Sequence, residues 1–128
     1  MQSFKSKFHN AELKITGYDE PNNGRMLHVA ELWIAGVNQT LNFFEHGLYL
    51  DFELKNYNMD SPDGKFIFIP EEGGGALIDM SSLEKIKLPY KGISTVTFRG
   101  NSFTESTLTL NHTDRVIQFD LVDLKERT

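Results

Sequence analysis

Residues 48–55 read LYLDFELK, a run in which residue character changes with a period of two. Leu48, Leu50, Phe52 and Leu54 fall on one side of an extended chain, and Tyr49, Asp51, Glu53 and Lys55 fall on the other, because successive side chains of a strand point to opposite faces. The pattern specifies an antiparallel strand with one dry and one wet face. Glu45, His46 and Gly47 precede it as a turn. Leu13 and Ile15 alternate with Glu12, Lys14 and Thr16 in the same way. Upstream, Phe4, Ser6 and Phe8 occupy even positions while Ala11, Leu13 and Ile15 occupy odd ones, so the extended run must bulge or break near His9 and Asn10.

Two further runs are apolar on both parities, MLHVAELWIA at 26–35 and KFIFI at 65–69, and these read as strands covered on both faces. RVIQFDL at 115–121 is a milder version. Turn signals stand between them at 20–24 (EPNNG), 61–64 (SPDG), 73–75 (GGG), 89–92 (PYKG) and 111–114 (NHTD). That spacing leaves no room for the long helices of a doubly wound sheet. The expected fold is all-β, an antiparallel meander of about 8–10 strands forming a sandwich or a partly open barrel. Val37, Leu41, Phe44 and Leu48 also sit at helical spacing, with Asn38 as N-cap, but the alternation of Val37, Gln39, Leu41 and Phe43 and the flanking strands favour a strand there. Ile86 and Leu88, alternating with Lys85 and Lys87, likewise favour a short strand.

A chain of 128 residues suits one domain. With 13 Lys and Arg against 18 Asp and Glu the net charge is −5. Such a chain is a poor wrapper of phosphate backbones, so no nucleic-acid partner is expected. The absence of Cys removes disulfide frameworks, thiolate nucleophiles, Fe–S clusters and Cys-based zinc sites. Ten Phe, 4 Tyr and 1 Trp are ample for a packed core. The first ten residues, MQSFKSKFHN, resemble neither a signal peptide nor a membrane span, so the expected setting is cytoplasmic with no membrane partner.

An internal repeat is present. Residues 57–85 lie over 98–126 without a gap, placing Asp79 on Asp120, Leu83 on Leu124, Ile67 on Leu108 and Ile69 on Leu110. The match is one of pattern more than of identity. Residues 61–89, SPDGKFIFIPEEGGGALIDMSSLEKIKLP, carry a Ser-Pro-Asp-Gly-Lys turn, an apolar strand, a Gly-containing hairpin and a strand ending in Ile78-Asp79. In these features the segment resembles one blade of the YVTN-type and WD-repeat-type β-propellers. The later segment ends similarly in Phe119-Asp120, though Phe103, Thr104 and Glu105 replace the Pro-Asp-Gly turn, and the first half carries no such likeness. The resemblance implies blade-like units in the C-terminal half. Closed propellers typically have about 4–8 blades of roughly 40–45 residues; this chain holds about three, too few to close alone. A sheet stack, or association with further copies, would satisfy the same pattern.

Chemistry is sparse. His9, His28, His46 and His112 form no H-x-H or H-x-x-x-H pair, so no local metal site is expected. There is no G-x-S-x-G elbow. Glu71 and Glu72 precede the glycines at 73–75, which disfavours a phosphate cradle. Asp51 and Glu53 share one strand face rather than flanking a cleft, and Asp60 and Asp63 do not have the spacing of an EF-hand. No catalytic residue and no cofactor are therefore expected. The function expected first is a non-enzymatic acidic protein-binding domain, an intracellular inhibitor or toxin-immunity type of protein that blocks a basic partner surface. Its candidate contacts are Tyr49, Asp51 and Glu53 on the polar strand face with Asp60, Asp63, Glu71 and Glu72 on the turns. The alternative is a β-barrel holding a small apolar ligand. An enzyme using convergent acids with His28 or His46 comes last.

Overall fold

The computed structural model describes residues 2–19, 27–51, 54, 56–71, 75–88, 98–113 and 115–126. The turn signals at 20–24 and 89–92 lie outside them, as do most of the 73–75 turn, Asp114 of the 111–114 turn, and Phe52, Glu53 and Lys55 of the 48–55 run. Among the described residues there are twelve strands and one short helix: β1 (Ser3–Lys5), β2 (Ala11–Asp19), β3 (Leu27–Ile34), β4 (Val37–Asn38), α1 (Thr40–Phe43), β5 (Leu48–Asp51), β6 (Phe66–Ile69), β7 (Ala76–Asp79), β8 (Glu84–Lys87), β9 (Phe98–Phe103), β10 (Thr107–His112), β11 (Val116–Asp120) and β12 (Lys125–Glu126). The fold is all-β, as the alternating patterns require. The strands form three antiparallel sheets, β1-β2-β3-β4 with β5 also on β3, β6-β7-β8, and β9-β10-β11-β12. The described residues form no closed barrel.

The middle sheet explains why KFIFI is apolar on both parities. All four residues of β6 are buried, because the sheet has a core on each face. Ile67, Ile69, Ala76 and Ile78 pack with Leu13, Leu32, Leu48 and Leu50 of the first sheet. Phe66, Phe68 and Leu77, one residue out of phase, pack with Leu108, Leu110, Ile117 and Phe119 of the third. A period of two thus feeds two cores from one strand. The two outer faces carry polar cross-strand pairs such as Lys14 with Glu31 in the first sheet and Ser102 with Thr109 in the third, with Val116 exposed among the polar groups of the latter. They cap the stack as polar terminal repeats cap a solenoid.

Several local expectations are revised. The 26–35 run is not covered on both faces: β3 buries Leu27, His28, Ala30, Leu32 and Ile34 and leaves Val29, Glu31 and Trp33 half-buried. It is the central strand of an outer layer, so lateral neighbours shield its second face. Near His9 and Asn10 the chain breaks, one of the two outcomes expected there, and turns so that Phe4 pairs with Leu13. The bulge lies in β2 between Ile15 and Gly17. In place of one strand through Val37–Phe43 there is a two-residue strand, then a helical turn.

The repeat has a shared hydrogen-bond pattern. Met80 N donates to Lys65 O and Leu121 N to Ser106 O, each at 2.8 Å. Leu83 and Leu124 both adopt left-handed backbone, with φ of 58° and 55°, and Asp79 and Asp120 both accept amide N–H bonds from the turn that follows. The gapless alignment fails only ahead of this point. Asp60 bridges Ile67 whereas Phe103 pairs with Leu108, so the loop of the third unit (98–126) is two residues shorter than that of the second (57–85). That contraction puts Asn58 and Asn101, not Asn58 and Arg99, at equivalent places.

Candidate functional site

The second edge of β3 is interrupted. At one end β4 pairs Trp33 with Asn38 and Ile34 with Val37; at the other, β5 pairs Ala30 with Leu48 through to Leu27 with Asp51. Between them, beside Glu31 and Leu32, the chain leaves the sheet to form α1. Buried backbone groups exposed by such a gap must find other partners. Thr40 supplies one: its Oγ1 accepts Leu32 N at 2.9 Å and donates to Asn38 Oδ1 at 2.6 Å. Gln39 N donates to Leu32 O at 2.8 Å, and Asn38 Oδ1 also accepts Thr40 N at 3.0 Å. Asn38 therefore turns the chain into the helix, as its position in the helical pattern suggests, although Gln39 occupies the N-cap.

This excursion leaves a depression of about 460 Å³ walled by Thr16, Val29, Glu31, Leu41, Asn42 and Tyr49, among others. Gly47 returns the chain to β5 with φ of 90°, and a Cβ there would stand 3.4 Å from the Tyr49 ring. Leu41, 69% exposed, forms the outer lip.

Tyr49 also walls a second depression, about 360 Å³, shared with Glu45, His46, Glu71, Lys85 and Lys87. The single bridge between Leu50 and Glu71 brings this part of the middle sheet against β5. Lys85 donates Nζ to Phe43 O at 2.7 Å and lies 4.3 Å from the Phe44 ring centroid, fixing β8 to α1. Glu45 and His46 form an exposed contact of 3.2 Å, the solvated pair their turn position implies. With Glu45 and Glu71 beside Lys85 and Lys87 in this depression and Glu31 in the other, the surface around Tyr49 has mixed charge.

The candidate contacts among the described residues do not form one cluster. Tyr49 and Glu71 meet in the second depression. Asp51 is on β5, in register with Leu27, and Glu53 and Glu72 lie outside the described residues. Asp60 lines a separate depression of about 570 Å³ with Lys5 and Lys7, where its carboxylate accepts Ser6 Oγ at 2.5 Å and Lys7 N at 2.9 Å. Asp63 Oδ1 accepts Lys65 N at 3.0 Å and Ser61 Oγ at 2.9 Å. These bonds hold its carboxyl below the usual carboxylate range. Asp60 and Asp63 thus fasten turns: with His9 Nε2 bonded to Gly64 O at 2.6 Å, Asp60 ties the N-terminal loop to the 61–64 turn.

Sequence reasoning missed Glu31, Leu41, Asn42, Lys85 and Lys87. The helical spacing of Val37, Leu41 and Phe44 was the available signal, since it marks where the edge strand is broken. His28 is buried in β3 with its ring 5.0 Å from Tyr18, away from either depression beside Tyr49. Among the described residues no three His, Asp or Glu side chains converge as a metal site, and no helix is long and apolar enough to cross a membrane. No family model, curated protein or solved structure matches the chain.

Proposed function

We propose that this chain is a non-enzymatic protein-binding domain that docks a partner on the surface centred on Tyr49, acting as an inhibitor or immunity-type protein does, by covering the partner's own working surface. The observation that carries this reading is the position of Tyr49 as the common wall of two open depressions, with Leu41 exposed on one side and Glu45 and Glu71 on the other. Tyrosines so placed, in a ring of polar groups, are the residue type that concentrates binding energy at interfaces. Net charge of −5 favours a basic partner through long-range steering. The mixed charge beside Tyr49 shifts the weight of the reading from a uniform acidic patch to one aromatic anchor with charged rims.

The hollow-barrel alternative gains no support, because the sheets do not close among the described residues and both cores are filled by interleaved side chains. The test is capture of partners from the native host on wild-type protein and on Tyr49→Ala, with folding of both checked by circular dichroism. A protein retained stoichiometrically by the wild type and lost by the variant supports the reading; equal retention by both contradicts it.

A further inference from the structure

We infer that the 460 Å³ depression between α1 and the outer face of the first sheet receives one basic side chain, an arginine or lysine of the partner; this rests on the docking surface proposed above. The depression exists only because the edge strand is interrupted. Continuation of β4 into β5 would have paired the β3 edge at Leu32, where the Thr40 hydroxyl now substitutes for a ladder bond. A break in a strand, completed by a dedicated buried hydroxyl, is a departure from local regularity of the kind that marks working sites.

The chemistry of the walls selects the occupant. Among the described residues that line the depression, Glu31 is the one formally charged and none is Lys or Arg. One Glu31 oxygen, Oε1, accepts Trp33 Nε1 at 2.9 Å, which fixes the carboxylate in place. Lys14, across the strand from Glu31, has its ammonium 4.2 Å from the Trp33 ring centroid. Tyr49 adds an aromatic wall, and Asn42 and Thr16 add polar groups. A fixed carboxylate beside an aromatic ring satisfies both demands of a guanidinium or ammonium group, a charge-assisted hydrogen bond and a π-face. Val29 and Leu41 offer apolar surface to its methylene stem. The neighbouring depressions, lined by Lys85 and Lys87 or by Lys5 and Lys7, lack this one-sided charge.

The experiment is an NMR titration of the full chain with the capped tripeptide Gly-Arg-Gly and with its neutral counterpart, Gly-citrulline-Gly. The expected result is amide shifts at residues 29–31, 41–42 and 47–49 with the arginine peptide, at least tenfold weaker binding of the citrulline peptide, and the same loss in Glu31→Gln. Glu105→Gln, on the exposed turn between β9 and β10 and lining none of these depressions, should bind as the wild type does. Equal binding of the two peptides, no shifts at those residues, or unchanged binding in Glu31→Gln would overturn the inference. Partner capture that depends on Tyr49 while the peptides show no preference would overturn this inference alone and leave the docking surface standing; capture independent of Tyr49 would remove the surface itself.

Discussion

Asn58 and Asn101, at equivalent places in the second and third units, hold each other by three hydrogen bonds. Asn58 N donates to Asn101 Oδ1 at 2.8 Å, Asn58 Nδ2 to Asn101 O at 2.6 Å, and Asn101 Nδ2 to Asn58 O at 2.9 Å. Asn58 lies outside any strand and has no ladder with β9, so the side-chain amides supply what backbone pairing would. Asn101 is only 3% exposed. Asn101→Ala removes two of these bonds and leaves the amide and carbonyl of Asn58 without those partners, a loss of about 1–3 kcal/mol. Urea unfolding should show a lower midpoint with an unchanged slope. Asn58→Ala combined with Asn101→Ala should cost less than the sum of the single changes, since the two side chains act on one contact.

Thr40→Val keeps the side chain's shape and removes its hydroxyl. Leu32 N then loses its acceptor and Asn38 Oδ1 loses a donor. We expect destabilisation of about 1–2 kcal/mol, and hydrogen exchange at the Leu32 amide should accelerate. Thr40→Ser retains the hydroxyl and should lie much closer to the wild type.

Leu83 and Leu124 hold φ of 58° and 55°, where a leucine Cβ crowds the following carbonyl. Both side chains are exposed by more than a third, at 44% and 41%, so little packing is lost on replacement. Leu83→Asn and Leu124→Asn should each raise stability by about 0.5 kcal/mol, because Asn tolerates the left-handed region. Thermal melts of the single and double variants check this, the double variant being close to additive.

Asp63 and Asp79 carry folded-state pKa values below the ordinary one. For Asp63 the Lys65 amide bond is the main cause and for Asp79 the Ser81 hydroxyl bond is. A carboxyl whose folded pKa is depressed contributes stability above its unfolded pKa and loses it as pH falls through the folded value. Their contribution is therefore complete at neutral pH and disappears below about pH 4. Asp63 is exposed and Asp79 half-buried, so solvent screening keeps the effect small. Denaturant midpoints followed from pH 7 to pH 2 should fall less steeply in Asp63→Asn with Asp79→Asn than in the wild type.

The strands were legible wherever one chain segment settled its own environment. Alternation at Leu48 and Leu50 against Tyr49 is a local signal, and β5 follows it; the doubly apolar 66–69 run likewise announces a strand between two cores. Whether a run is shielded by a second layer or by lateral neighbours is not local, which is why β3 was expected to be covered twice. Residues 37–44 satisfied both periods, and tertiary demand decided: Thr40 can serve Leu32 only if the chain turns. The site was less legible than the fold. Tyr49 and Glu71 could be named as polar residues beside strands, but their meeting depends on a bridge between Leu50 and Glu71, and Asp60 and Asp63 looked equally available until their carboxylates were found bonded to Ser6 and Ser61.

The central claim is that Tyr49 anchors a partner. Its most direct test is quantitative mass spectrometry of proteins captured from the native host by wild type and by Tyr49→Ala, followed by affinity measurement for the protein enriched on the wild type. Truncating an interface anchor typically costs about 2 kcal/mol or more, so the account predicts at least a roughly 30-fold weaker complex for Tyr49→Ala, with wild-type binding weakened by added salt. An affinity unchanged by Tyr49→Ala would contradict it.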